Sequence, residues 1–285
     1  MAKTIGNPLS WVAQNIEASS DHISESVTHL GSDTVRELPH IQTLTIDDLF
    51  AALRAGYQDF LASRADAIFI ALIYPIAGLV LFSLGSRMEM APLLAPLMMG
   101  FALIGPVAAV GLYEISRRLE QGQDVHWLHA FGVFRAPSYG AILALGFYLT
   151  ALFLVWMMTA HNLFMQTLGP ETPASFSSFV TQTLTTPEGW TMIIVGTAVG
   201  GLFALIALAI SVISFPLLLD RQVGVPVAVV TSIRVLRHNP MVILTWGAMV
   251  AGLLVLGAIP MLLGLIVVMP VLGHATWHLY RRAIA

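Results

Sequence analysis

Residues 241–280 read MVILTWGAMVAGLLVLGAIPMLLGLIVVMPVLGHATWHLY, forty positions without a single Asp, Glu, Lys or Arg. One bilayer crossing takes about 20 apolar residues, because the hydrocarbon core is ~30 Å thick and a helix rises ~1.5 Å per residue. The stretch is twice too long for one helix and predicts two. Their joint is expected at Gly257-Ala258-Ile259-Pro260, where Gly and Pro favour a turn and Pro260 can begin the next helix. Working outward, four more stretches free of ionisable side chains have crossing length, at 67–85, 91–113, 139–160 and 190–219. The expectation is an all-α polytopic membrane helix bundle with six transmembrane helices.

Basic residues accumulate on cytoplasmic loops, which sets the orientation. With six crossings and the N-terminus inside, Lys3, Arg36, Arg54, Arg64, Arg117, Arg118, Arg135, Arg221, Arg234, Arg237, Arg281 and Arg282 all fall on the cytoplasmic side, and only Arg87 falls outside. Five crossings would move Arg281 and Arg282 across, so both termini are expected in the cytoplasm, and the expected location is a bacterial inner membrane. Trp190, Tyr113, Trp277 and Tyr280 then fall near the interfaces as an aromatic belt.

Composition agrees with lipid as the main solvent: 57% of the 285 residues are hydrophobic and 10% are charged, against about a quarter charged in soluble domains. A net charge of −3 with scattered arginines offers no face for nucleic acid. The absence of cysteine excludes disulfides, thiolate metal sites and cysteine nucleophiles. No signal-peptide core or cleavage site is present in the first 66 residues, and no Walker loop, dinucleotide fingerprint, zinc-protease helix or nucleophile elbow occurs anywhere.

Outside the crossings, residues 1–40 are expected to be mostly disordered and 41–66 to hold an amphipathic cytoplasmic helix and linker, with 67–285 forming the membrane domain. Thr45-Ile-Asp-Asp48 is a capping-box sequence, and Ile46, Leu49, Phe50, Leu53, Tyr57, Phe60 and Leu61 recur at helical spacing. The other side of this helix carries Asp47, Asp48, Arg54 and Asp59, too acidic for anionic lipid, so docking on protein is expected. Between crossings three and four, a short helix after Thr172-Pro173 should turn Phe176, Phe179, Val180 and Leu184 inward. Small-residue spacings at Gly196-TAV-Gly200 and Gly247-AMV-Ala251 predict close helix contacts. The second and sixth crossings end alike, PVAAVGLYEISRR from Pro106 against PVLGHATWHLYRR from Pro270, which points to a parallel internal repeat.

Ionisable groups at membrane depth are costly and therefore informative. His274 and His278 stand one turn apart, a spacing that can present two imidazoles to a metal or haem iron, with Glu114 as a candidate third ligand. The wider expectation is a polar cluster of Glu114, Arg117, Arg118, Asp220, Arg221, His274, His278 and Arg281 at the cytoplasmic face. Its structural alternative is a set of helix-end residues paired with their own arginines. His126 and His129 can share a pocket, or anchor a surface helix beside Trp127.

GFALIGPVAAVGLYEISRRLEQG at 100–122, SFPLLLDR at 214–221, PVLGHATWHLYRR at 270–282 and TIDDLFAALRAGYQDF at 45–60 resemble an uncharacterised proteobacterial family of integral membrane proteins, domain of unknown function 2189. Some members of that family carry a cytochrome c oxidase label. The resemblance implies at most an association with respiratory complexes, because this chain lacks the histidines on several helices that two haems and a copper need. The functional expectation is an accessory or scaffold subunit, or an assembly partner, of a membrane complex, with membrane lipid and a membrane-protein partner or second copy as neighbours. The alternatives are a small transporter or channel and a metal or haem binder through His274 and His278. The sequence specifies no cofactor.

Overall fold

The computed structural model describes residues 38–63, 72, 75–76, 78–80, 83, 91–169 and 174–284. The expected first crossing at 67–85 lies largely outside these residues. The described residues are helical apart from loops, turns and one antiparallel bridge, Ile41 to Ile284.

α1 (Ile46–Ala62) opens on the expected capping box: the Asp48 N–H donates to the Thr45 hydroxyl while the Asp48 carboxylate accepts from the Thr45 N–H at 2.8 Å. The stripe expected to bury as one face divides in two. Leu49 and Phe60, with Ala52 and Gly56, lie buried against the last helix, whereas Ile46, Phe50, Tyr57 and Leu61 face outward. The small residues decide this split, because a Cβ on Gly56 would lie 2.4 Å from the Ala275 backbone nitrogen. Helix backbones approach that closely only where a side chain is missing. Asp59 also leaves its expected polar face and points into the protein.

The Thr45 hydroxyl and then the Thr45 backbone N–H hold the Asp48 carboxyl below the usual carboxylate range, and Arg282 adds attraction from the far end of the chain. A carboxyl depressed in the folded state contributes stability above its unfolded pKa, near 4, and loses it as pH falls through the folded value. We therefore expect the first turn of α1 to hold from pH 8 to 5 and to loosen below about pH 4. Amide hydrogen exchange at Leu49 and Phe50 checks this, and Asp48→Asn should make the protection weaker and flat with pH.

The stretch at 91–113 becomes a short 3-10 turn (Ala91–Leu93), α2 (Leu94–Ala108) and α3 (Val110–Glu120). The break at Ala109 follows Pro106, whose ring removes a helix hydrogen bond. A 3-10 segment (Trp127–Arg135) leads to α4 (Tyr139–Thr167), then α5 (Phe176–Thr185) and α6 (Pro187–Ser211). The expected crossing at 190–219 is likewise divided, since α7 (Ser214–Asp220) starts afresh after Val212 and Ile213. Pro216 leaves the Val212 carbonyl without its helical donor, and the Ser232 hydroxyl accepts the Ile213 N–H at 3.3 Å. α8 (Val225–His238) and α9 (Pro240–Ala258) precede α10 (Leu265–Ala283).

The turn between α9 and α10 falls where the sequence placed it, but it is longer. Pro260 does not start α10, which begins at Leu265 after Met261 and Leu262 adopt left-handed φ values of 51° and 67°. Gly257 and Gly264 explain the detour: a Cβ on Gly264 would stand 2.7 Å from the Gly257 carbonyl oxygen, so the helices meet backbone to backbone. That contact offsets a left-handed cost of roughly 1–2 kcal/mol per residue.

Among the described residues, three helices are long and apolar enough to cross a membrane: Tyr139–Thr167, the joined Pro187–Asp220, and Pro240–Ala258. Their outer faces carry Phe147, Met158, Ile194, Leu202, Met241, Val255 and Leu256 in the open. Inside, Trp156 donates to the Pro96 carbonyl at 2.9 Å and lies against Gly200, while Gly196 lies against Leu163, so each glycine of the α6 pair accommodates a large side chain of α4. α5 departs from its expected amphipathy. Only Phe179 packs, edge-on to Phe164, while Phe176, Val180 and Leu184 stay exposed.

Candidate functional site

α1 and α10 form the most extensive helix contact among the described elements and run antiparallel, since Asp48 meets Arg282 while Asp59 meets His278. A clasp fixes their ends. Buried Asn239, just before α9, accepts the Leu44 N–H at 2.8 Å and donates to the Gln42 carbonyl at 3.0 Å, and the Gln42 N–H reaches the Ala283 carbonyl. Nothing in the sequence pattern singled out Asn239.

The eight residues expected as one polar cluster occupy three groups. In the first, Glu114 is buried on α3 and accepts from Arg117 at 2.8 Å and Arg118 at 2.7 Å, pairs of the i,i+3 and i,i+4 type. In the second, Arg281 reaches Glu120 at 3.0 Å and Asp220 at 3.5 Å, with Arg221 beside Asp220 at 4.0 Å. The aromatic residues assigned to an interfacial belt join this group. Trp277 donates to Glu120 and Tyr280 to Asp220, and both rings are buried, as is Tyr113; of the four, only Trp190 is exposed. Their polar tips were satisfied by carboxylates inside the protein, so burying the rings left no indole or phenol unpaired.

The third group holds both histidines. The Ser116 hydroxyl donates to Asp59 Oδ2 at 2.7 Å, leaving its lone pairs to accept from His274 Nδ1, also at 2.7 Å. His278 Nε2 reaches the same carboxylate oxygen at 2.8 Å. His274 is fully buried, and its Nε2 completes no hydrogen bond among the described residues. His274 stands midway along α10, nine residues from Leu265 and nine from Ala283, or about 14 Å from either end. Asp59 and Ser116 were absent from the sequence-based cluster; the signal for Asp59 was an acidic residue one position before a core phenylalanine on α1.

Glu114 is turned to the arginines of its own helix and does not join the histidines. Among the described residues no three His, Asp or Glu side chains are arranged to hold a metal ion. His126 and His129 cap the 3-10 segment, the His129 Nδ1 accepting the His126 N–H at 3.0 Å.

Beside the Glu114 pairs lies a cavity of about 300 Å³ between α3, the 3-10 segment, the start of α4 and the end of α7. Arg117, Arg118, Arg135 and Arg221 line it, together with the two carboxylates they face, Glu114 and Asp220.

Long apolar helices with bare outer faces, joined to an end where charges are paired across helices, define an all-helical integral membrane protein. Residues 93–220 match the family model described as predicted integral membrane protein (DUF2189), which bears out the resemblance carried by the motifs at 100–122 and 214–221. No curated protein and no solved structure matches the chain.

Proposed function

We propose that the protein is a non-catalytic subunit of a bacterial inner-membrane assembly, crossing the bilayer six times with both termini cytoplasmic, and that α1 holds the partner. The observation that carries this reading is the outward stripe of α1. Ile46, Phe50, Tyr57 and Leu61 are each more than 40% exposed and fall within about 60° of one another around the helix, at 100° per residue. The adjoining face, centred about 110° round the helix at 100° per residue, is already committed to α10. Three apolar side chains and a tyrosine lined up on a helix that is itself anchored by ion pairs form a surface for an apolar helix of another chain. The buried and half-buried carboxylates of the bundle support a structural role, because Asp59, Glu114, Glu120 and Asp220 each pair with a neighbouring His or Arg side chain. Arg117, Arg118, Arg135, Arg221, Arg281 and Arg282 share one end of the bundle, as the proposed topology requires.

A photo-crosslinking amino acid at Phe50 or Tyr57, in native membranes, should give one discrete adduct with a companion that also copurifies in stoichiometric amount. The same residue at Gln58, off the stripe, should give none. Protein that purifies alone, with no adduct from either stripe position, refutes the proposal.

A further inference from the structure

We infer that the arginine-lined cavity is a binding site for a phosphate-bearing anion. Four arginines face two carboxylates there, leaving two positive charges in excess among the described residues. Arg117 and Arg118 are paired with Glu114, whereas Arg135 has no hydrogen bond or ion pair among the described residues. A guanidinium fork left open beside two others matches phosphate geometry, since its donors bind oxygen pairs bidentately. α4 adds to the field. This 29-residue helix starts at Tyr139 without a side-chain cap, and Ala136, Pro137 and Ser138 at its N-terminus line the cavity, where the positive end of the helix dipole favours an anion. The volume is at the lower end of ligand pockets and suits a headgroup-sized molecule.

Two further features keep the site accessible. Gly132 stands over the Glu114 and Arg118 pair, where even a Cβ would come within 3.5 Å of Arg118 Nη2, so a larger side chain would fill the space. Leu128, Phe131 and Phe134 project in the open from the 3-10 segment that ends in Arg135, an apolar ridge bordering a cationic hollow. Phosphate oxygens in the hollow and hydrocarbon along the ridge describe an anionic phospholipid; a free phosphate would use the hollow alone.

The test uses the full chain, delipidated, with two probes: nanodiscs of phosphatidylcholine containing phosphatidylglycerol, and inorganic phosphate. Wild-type protein should bind one of them saturably. Gly132→Leu, which fills the cavity and keeps every charge, and Arg135→Gln should each weaken that binding at least tenfold. Arg234→Gln with Arg237→Gln, which removes two exposed charges from α8, should leave it unchanged. Preference for phosphatidylglycerol over phosphatidylcholine identifies a lipid headgroup. Saturable phosphate binding with the same pattern of variants, and no lipid preference, identifies a soluble phosphate. Binding of neither probe, or equal binding by wild type and both cavity variants, overturns the proposal, as does an equal loss in the α8 variant. Arg135 is exposed and holds nothing in place, so its variant decides the question if Gly132→Leu fails to fold.

Discussion

Replacing Gly56 by leucine is expected to lift α1 off the bundle. A Cβ at this position meets the nitrogen, Cα and Cβ of Ala275 at 2.4 to 2.7 Å, two of them backbone atoms in the middle of α10 that no rotamer change can move. Overpacking in a core with movable side chains costs typically 1–3 kcal/mol, and here the only relief is separation of the helices. Separation then exposes Leu49 and Phe60, each worth roughly 1.5–3 kcal/mol when buried. The chain has no cysteine, so Ala52→Cys, buried in the same interface, gives a background-free reporter. Its maleimide labelling should rise at least tenfold when Gly56→Leu is added, with a lower melting temperature in detergent. Unchanged labelling would show that α1 does not rest on Ala275.

Removing the Asp59 carboxylate is the second large effect. Asp59→Ala deprives the buried Ser116 hydroxyl and His278 of their common acceptor, and His274 loses the orientation that Ser116 provides. An unsatisfied buried polar group costs about 1–3 kcal/mol. Ser116 is fully buried and His278 partly exposed, so the loss should come to about 2–3 kcal/mol. Asp59→Asn keeps one acceptor oxygen and should recover part of it. In the Gly56→Leu background Asp59→Ala should add little, because both changes act on one docking event and residues that share an interface are not additive. Thermal melts of the two single variants and the double variant measure this; simple addition of the two losses would mean that Asp59 stabilises something other than the seat of α1.

Long apolar runs are what sequence reports best. The joint in 241–280 and the capping box at Thr45 were legible because each rests on a local rule of length or hydrogen bonding. Which part of the α1 stripe faces inward was not, since period alone cannot show that the small residues Ala52 and Gly56 draw Leu49 and Phe60 against α10 and leave Ile46, Phe50, Tyr57 and Leu61 outside. The aromatic residues misled for a related reason. Trp277 and Tyr280 stand where an interfacial belt would stand, and only the carboxylates of Glu120 and Asp220, distant in sequence, make their burial affordable. The polar cluster was visible as a set of residue types near helix ends, yet its division into three groups depends on contacts across some 60 to 220 positions. The likeness of the two helix ends shows the same limit. Glu114 and His278 hold matching places in PVAAVGLYEISRR and PVLGHATWHLYRR, but one turns to arginines of its own helix and the other to Asp59 of α1.

The pairing of α1 with α10 also imposes an order of events on synthesis. Asp59 leaves the ribosome 219 residues before His278 does, a delay of roughly 10 to 45 s at ordinary elongation rates. Throughout that interval the first helix lacks both the His278 partner of its Asp59 and the Ala275 backbone that its Gly56 rests on, and its Leu49–Phe60 face has no α10 to cover it. Any nascent chain that stalls short of α10 therefore displays an unmatched helix, a mark by which quality-control proteases can tell unfinished copies from complete ones.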